Sequence, residues 1–147
     1  SVIDPEQLLA QGVVNDVANK ADRNEVQELA GTRLWVSGEY TPVTNTPTIV
    51  THGLNIDPLR CKCDVLLRCV VAEWGYAVGD FGISLYLATE YPATGIQTTP
   101  CIPSLAANKI QVNSGNHANS VYVMNKTTGE CKAVTLANWR YIFRIWY

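Results

Sequence analysis

Trp74, Tyr76 and Asp80 fall within one short stretch, Trp-Gly-Tyr-Ala-Val-Gly-Asp. The combination suits sugar recognition, in which an aromatic face covers the apolar side of a pyranose while a nearby carboxylate, amide or guanidinium takes its hydroxyls. Tyr91 in a long loop, and Asn116, His117 and Asn119 in a polar turn, are further candidates for ligand contact. A plainer reading stands beside each. Tyr76 and Asp80 equally suit the buttressing of a loop between Gly75 and Gly79, and Trp74 equally suits packing at a subunit interface.

Catalytic chemistry has less to work with. His52 lies in Thr-His-Gly-Leu, a turn ahead of a long strand, and His117 in a Gly/Asn-rich turn. The sequence holds no nucleophile-elbow, zincin, P-loop or dinucleotide signature. Asp57, Asp64, Glu73, Asp80 and Glu90 include enough carboxylates for a glycosidase pair, but scattered acids of this number occur in any domain. The expectation is a non-enzyme that needs no cofactor.

Five cysteines, Cys61, Cys63, Cys69, Cys101 and Cys131, leave at least one unpaired within the chain, which argues against a complete disulfide framework. Cys61-Lys-Cys63 could be half of a zinc site with Cys101, Cys131 or His117. Structural zinc, however, usually uses two pairs spaced C-x₂₋₄-C, and neither is present. Buried, reduced thiols and no metal are expected.

The chain of 147 residues is 47% hydrophobic and 16% charged, enough for one core-forming domain with a small appendage. A net charge of -2 gives no general attraction to nucleic acid or an anionic membrane. No apolar run approaches the roughly 20 residues of a spanning helix, so membrane insertion is not expected, and no signal-peptide core opens the sequence.

The elements that must position the candidate residues are mostly strands. Between Arg60 and Val71 the side chains alternate, apart from Leu66 and Val70: Arg60, Lys62, Asp64 and Arg68 at even positions, Cys61, Cys63, Val65, Leu67, Cys69 and Val71 at odd ones. This spacing predicts one long half-buried strand whose odd face needs a second layer. Trp139, Tyr141, Phe143 and Ile145 share one face of a closing strand and Arg140 and Arg144 the other; such a strand should be central, or buried between subunits. Arg140 and Arg144 would then meet acids of a neighbouring subunit, or else form a solvated face. Shorter strands are expected over 34–41, 48–51, 80–89 (Ile83, Leu85 and Leu87 on one face), 109–112, 120–124 and 131–134. Turns are expected at 42–47, 113–119 and 125–129, and a long irregular segment over 90–106.

The first 31 residues differ. Asp4-Pro5-Glu6-Gln7 makes a helix start, and Leu9, Val13 or Val14, Val17 and Ala21 give a narrow apolar stripe. Asp22-Arg-Asn-Glu25 offers a second cap, and Gly31 a C-terminal stop. So narrow a stripe suits a trimeric coiled coil or docking on a partner; a helix packed on its own β-domain is the alternative. The expected organisation is an N-terminal helical stalk or anchor, 1–31, and a β-domain, 32–147. Several short strands with no βαβ alternation make that domain mainly β, an antiparallel β-sandwich.

Several motifs resemble the C-terminal head domains of bacteriophage tail-fibre and related virion proteins. They are Trp35-Val-Ser-Gly-Glu-Tyr-Thr41, the 46–54 stretch Thr-Pro-Thr-Ile-Val-Thr-His-Gly-Leu, Cys69-Val-Val-Ala-Glu-Trp-Gly-Tyr-Ala-Val-Gly-Asp80, Tyr122-Val-Met-Asn-Lys-Thr-Thr-Gly129 and Leu136-Ala-Asn-Trp-Arg-Tyr-Ile-Phe-Arg144. Together they span roughly 34–147. Asn19-Lys-Ala-Asp22 is similar to the stalk segments before such heads, while the long segment 90–106 fits the family less well. The resemblance implies an H-type-lectin-like sandwich that assembles as a homotrimer, and a structural role for His52. It implies a virion protein made in the bacterial host cytoplasm, fixed to other virion proteins by its helix and attaching to host-surface glycan through its loops. The alternative is a decoration or cement protein holding capsid or tail subunits together. A secreted cellular lectin is disfavoured by the odd cysteine count and the missing signal peptide.

Overall fold

The computed structural model describes residues 31–84, 89–91, 96–98, 101–114 and 121–147. In chain order the strands are β1 (Leu34–Val36), β2 (Thr48–Thr51), β3 (Lys62–Cys69), β4 (Phe81–Gly82), β5 (Thr89–Tyr91) and β6 (Ile96–Thr98). They continue with β7 (Pro103–Leu105), β8 (Lys109–Val112), β9 (Tyr122–Met124), β10 (Cys131–Ala133) and β11 (Trp139–Trp146). Short 3-10 turns occupy Pro58–Arg60 and Leu136–Asn138.

The two stretches of strictest alternation are the two longest strands, and they pair with each other. β11 lies antiparallel to β3 from Trp139↔Cys69 to Trp146↔Lys62. It also lies between β3 and β1, in a four-stranded sheet of order β1-β11-β3-β4. Pairing in this register puts Val65, Leu67 and Cys69 on the same face as Trp139, Tyr141, Phe143 and Ile145. All seven are buried, five of them with no exposure at all. A second sheet of order β2-β8-β7 contributes Val50, Ile110 and Val112 to the same core, and the β9–β10 hairpin adds Val123. Among the described residues the domain is mainly β, and every ladder is antiparallel.

Several expectations change. The 34–41 strand shortens to β1, after which only Tyr40 bridges Tyr141. Of the strand expected over 80–89, the described residues show a two-residue edge, β4, and Thr89 at the start of β5; Ile83 is 72% exposed, and Leu85 and Leu87 lie outside the described residues. The segment read as irregular, 90–106, carries β6, β7 and the end of β5; β7 enters the second sheet, so this stretch is partly framework. The alternation that begins at Arg60 is useful only as far as Cys69. Val71 lies past the strand end and is half exposed. Of the thiols expected to be buried, Cys69 and Cys101 are, Cys61 and Cys63 are half-buried, and Cys131 is exposed at the start of β10. The helix expected over 1–31 lies outside the described residues, apart from Gly31.

Because Phe143 has no exposure and packs on Tyr40 and Tyr141, Phe143→Ala should cost about 3–5 kcal/mol in urea unfolding, and Ile145→Val about 0.5–1.5 kcal/mol. Equal small losses at both positions would show that this face is not the core.

Candidate functional site

The loop after β3 begins as a tight reversal. Glu73 and Tyr76 exchange backbone hydrogen bonds, and Trp74 and Gly75 between them have φ of 53° and 81°. Two successive left-handed residues make the turn favoured between antiparallel segments, and glycine is the residue suited to it. Trp74 takes that conformation against its side-chain preference because the residue is held on three counts, two of them at its ring. Its Nε1 donates to the Ala133 carbonyl at 3.0 Å, Lys132 Nζ sits 5.3 Å from its ring centroid, and its own carbonyl accepts from the Lys126 N–H. Gly75 lies so close to the 125–129 turn that a Cβ there would stand 3.0 Å from Thr127 Oγ1 and 3.1 Å from Lys126 Cβ.

The rest of the loop is anchored in the same way. Tyr76 is buried, edge-on to Trp139 at 5.0 Å between ring centroids. Asp80 accepts from the Ala77 N–H at 2.9 Å and from Lys126 Nζ at 3.0 Å, and these bonds hold its carboxyl below the usual carboxylate range. Glu73, which sequence reasoning counted only among scattered acids, is the hub. Its carboxylate accepts from the Thr135 N–H and Oγ1, from Asn138 Nδ2 and from Trp139 Nε1. Trp74, Tyr76 and Asp80 are thus brought together, with the Trp74 indole N–H and the Asp80 carboxylate already engaged inside the chain and the Tyr76 ring packed on Trp139. Asn116, His117, Asn119 and the Tyr91 side chain lie outside the described residues.

An open cleft of about 340 Å³ lies elsewhere, where the 54–61 segment meets the start of β1 and the end of β11. Three of its walls, Leu54, Ile56 and Tyr147, are partly buried and rest on the core. Its polar groups are Arg33, Asn55, Asp57 and Arg60. Backbone hydrogen bonds in both directions between Arg33 and Tyr147 extend the β1–β11 ladder by one step, and the Arg33 guanidinium covers the Tyr147 ring at 4.6 Å. Asp57 caps the 3-10 turn by accepting from the Leu59 N–H, which brings Arg60 back to 3.8 Å from its other oxygen. Asn55 has φ of 50°, and its N–H donates to Asn108 Oδ1 at 2.7 Å. Its side-chain amide is left on the cleft.

His52 supports this wall from behind. Its Nδ1 accepts from the Leu54 N–H and its Nε2 donates to the Ala106 carbonyl, each at 3.1 Å, which requires the neutral Nε2–H tautomer. Trp35 packs edge-on to its ring. The expected structural role of His52 therefore has a definite content.

Cys61 is the thiol that lines the cleft. Burial, and then the Asp57 carboxylate, push its pKa up, so it is a poor thiolate. Burial likewise raises Cys101 and Tyr141, whose Sγ and Oη lie 3.5 Å apart in the core. Among the described residues no three His, Cys, Asp or Glu side chains gather as a metal site, and no helix is long and apolar enough to cross a membrane. What the cleft can do is hold a small polar ligand: it offers a carboxylate, an amide and two guanidiniums beside one aromatic edge, and its volume is that of a small-molecule site. No protein-family model, curated protein or solved structure matches the chain.

Gly75→Ala should lower stability by about 1–2 kcal/mol, through both the positive φ and the contact with Thr127, while Gly129→Ala, with open space around it, should lose less in the same thermal melt. Asp80 adds a pH signature. Its folded pKa is depressed, so its contribution is full above the ordinary carboxylate pKa and is lost as pH falls through the lower folded value. The melting-temperature gap between wild type and Asp80→Asn should narrow on acidification; a constant gap would exclude the Lys126 pair as its source.

Proposed function

We propose that this chain is a non-enzymatic, homotrimeric virion protein of the phage tail-fibre kind, whose β-domain is an H-type-lectin-like sandwich that attaches to a host-surface glycan. The observation that carries the reading is the cleft at Asn55, Asp57, Arg60 and Tyr147. It offers hydroxyl-binding groups of both polarities next to an aromatic ring, while the nearby thiol is held protonated. In this reading the aromatic loop at 73–80 is the rigid support of the domain, and the 54–61 segment is the ligand-facing loop. The antiparallel two-sheet core and the ordered motifs from Trp35 to Arg144 support the sandwich assignment. Residues 1–31 serve as stalk or anchor to other virion proteins.

Each site binds weakly, because a solvated cleft of this size contributes few dry contacts. Three linked sites raise the apparent affinity by roughly 10²–10⁴-fold on a multivalent surface. The second reading, a decoration or cement protein, is favoured by one observation: large apolar side chains stand on the surface, among them Leu34, Val36, Phe81 and Ile83.

Sedimentation of the whole chain and of residues 32–147 should give a trimer in both. On immobilised glycans the trimer should be retained, and Arg60→Ala or Asp57→Asn should abolish retention without changing the melting temperature appreciably; the asparagine keeps the oxygen that caps the 3-10 turn. A monomer in both forms would sink the trimeric head. A trimer retained by no glycan but by virion particles would turn the assignment to the cement protein.

A further inference from the structure

The two sheets differ in what they show to solvent. On β2, β8 and β7 the side chains that alternate with the core are Ile49, Thr51, Lys109, Gln111 and Ser104, polar apart from Ile49. The four-stranded sheet has the opposite character. The register aligns Leu34 with Trp146, Val36 with Arg144, Ile142 with Leu66, and Arg68 with Phe81, all on the face away from the core. Leu34, Val36 and Phe81 are each about half exposed, and Leu66, Ile142 and Trp146 are only partly covered by their neighbours. An antiparallel sheet with one face on the core usually presents a polar outer face.

Three of the four cations on this face are already matched within the chain; the fourth, Lys62, is exposed at the start of β3, opposite Trp146. Arg144 forms a two-point pair with its cross-strand neighbour Asp64 and lies over the Trp146 ring. Arg68 pairs with Glu39 at 2.8 Å, and Arg140 donates to the carbonyls of Ala137 and Trp139. Covering the face would leave none of these three guanidiniums without a partner, which is the condition under which charged groups tolerate an interface.

We infer that the outer face of the β1-β11-β3-β4 sheet is the surface on which copies of this chain pack around the trimer axis. The inference rests on the trimeric reading proposed above and names its contact surface. The occupant is set by where the preceding residues join the domain. Leu34 is three residues beyond Gly31, at most about 10 Å of extended chain, so in the trimeric reading a join of the copies through residues 1–30 keeps the three β1 strands close to the axis. β1 is the edge strand of the apolar face and carries Leu34 and Val36 on it. The second sheet begins only at Thr48.

The test is sedimentation equilibrium of the full chain carrying Leu34→Glu or Val36→Glu, with Ile49→Glu, half exposed on the other sheet, as the matched control. Near-UV circular dichroism reports whether each head remains folded. The two β1 variants should weaken association at least about tenfold, since each would bury an unpaired carboxylate, while the control sediments as wild type. Trimers that persist in both β1 variants at wild-type strength would overturn the inference and leave the trimeric reading standing. A wild-type chain that never associates would remove the reading and the inference together. A monomer that oligomerises only when residues 1–30 are deleted would show that the chain covers this face itself, and would also overturn the inference.

Discussion

The pairing of β11 with β3 is the constraint on which the domain depends. Eight residue pairs run in one register, from Trp139↔Cys69 to Trp146↔Lys62. A slip by one residue would turn Trp139, Tyr141, Phe143 and Ile145 out to solvent and bring Arg140 and Arg144 into the core. The cost of burying two guanidiniums makes this register far better determined than the backbone hydrogen bonds alone would make it. β1 and β4 take their places from this central pair. The 73–80 loop depends on it too, since Trp139 at its start supplies both the indole N–H that Glu73 accepts and the ring on which Tyr76 rests.

The two polar regions of the domain answer to opposite requirements. Around Glu73, four hydrogen-bond donors from the 135–139 stretch converge on one carboxylate, and the product is a fixed scaffold. Around Asp57 the backbone is fixed by a cap, by Asn108 and by His52, but the side chains of Asn55, Asp57 and Arg60 reach solvent. Rigid backbone with open polar side chains is what selective binding asks of a loop, because little entropy remains to be lost when a ligand arrives.

How much of this could be read in the sequence varied with the range of the signal. The period-two patterns at Val65-Leu67-Cys69 and Trp139-Tyr141-Phe143-Ile145 are local and placed the two central strands and their buried faces. The aromatic loop was located, but Trp74, Tyr76 and Asp80 look the same in sequence whether they bind a ligand or brace a turn. Only the partners Ala133, Lys126 and Trp139 distinguish the cases. The cleft was not legible, since Arg33, Asp57 and Tyr147 come from three distant stretches that no spacing rule joins. Glu73 was hidden for the same reason. Ile83 misled because it belongs to an alternation with Phe81, Leu85 and Leu87 in the sequence, whereas β4 ends at Gly82 and Ile83 itself is exposed.

The placement of β11 has a consequence for how the protein is made. Its partner β3, and the edge strand β1, are synthesised long before it, and Leu34 meets Trp146 only across nearly the whole described chain. While the ribosome is still working, β3 carries an unpaired edge and an apolar face with no neighbour on its β11 side. Sheets closed by sequence-distant contacts form slowly and are exposed to aggregation in the interval. Arg68 and Lys62, charged side chains spaced along β3, then act as guards on a growing chain, discouraging one nascent copy from adding its strand to the next. The same positions that flank the finished sheet thus protect it during the seconds of synthesis when it has no centre.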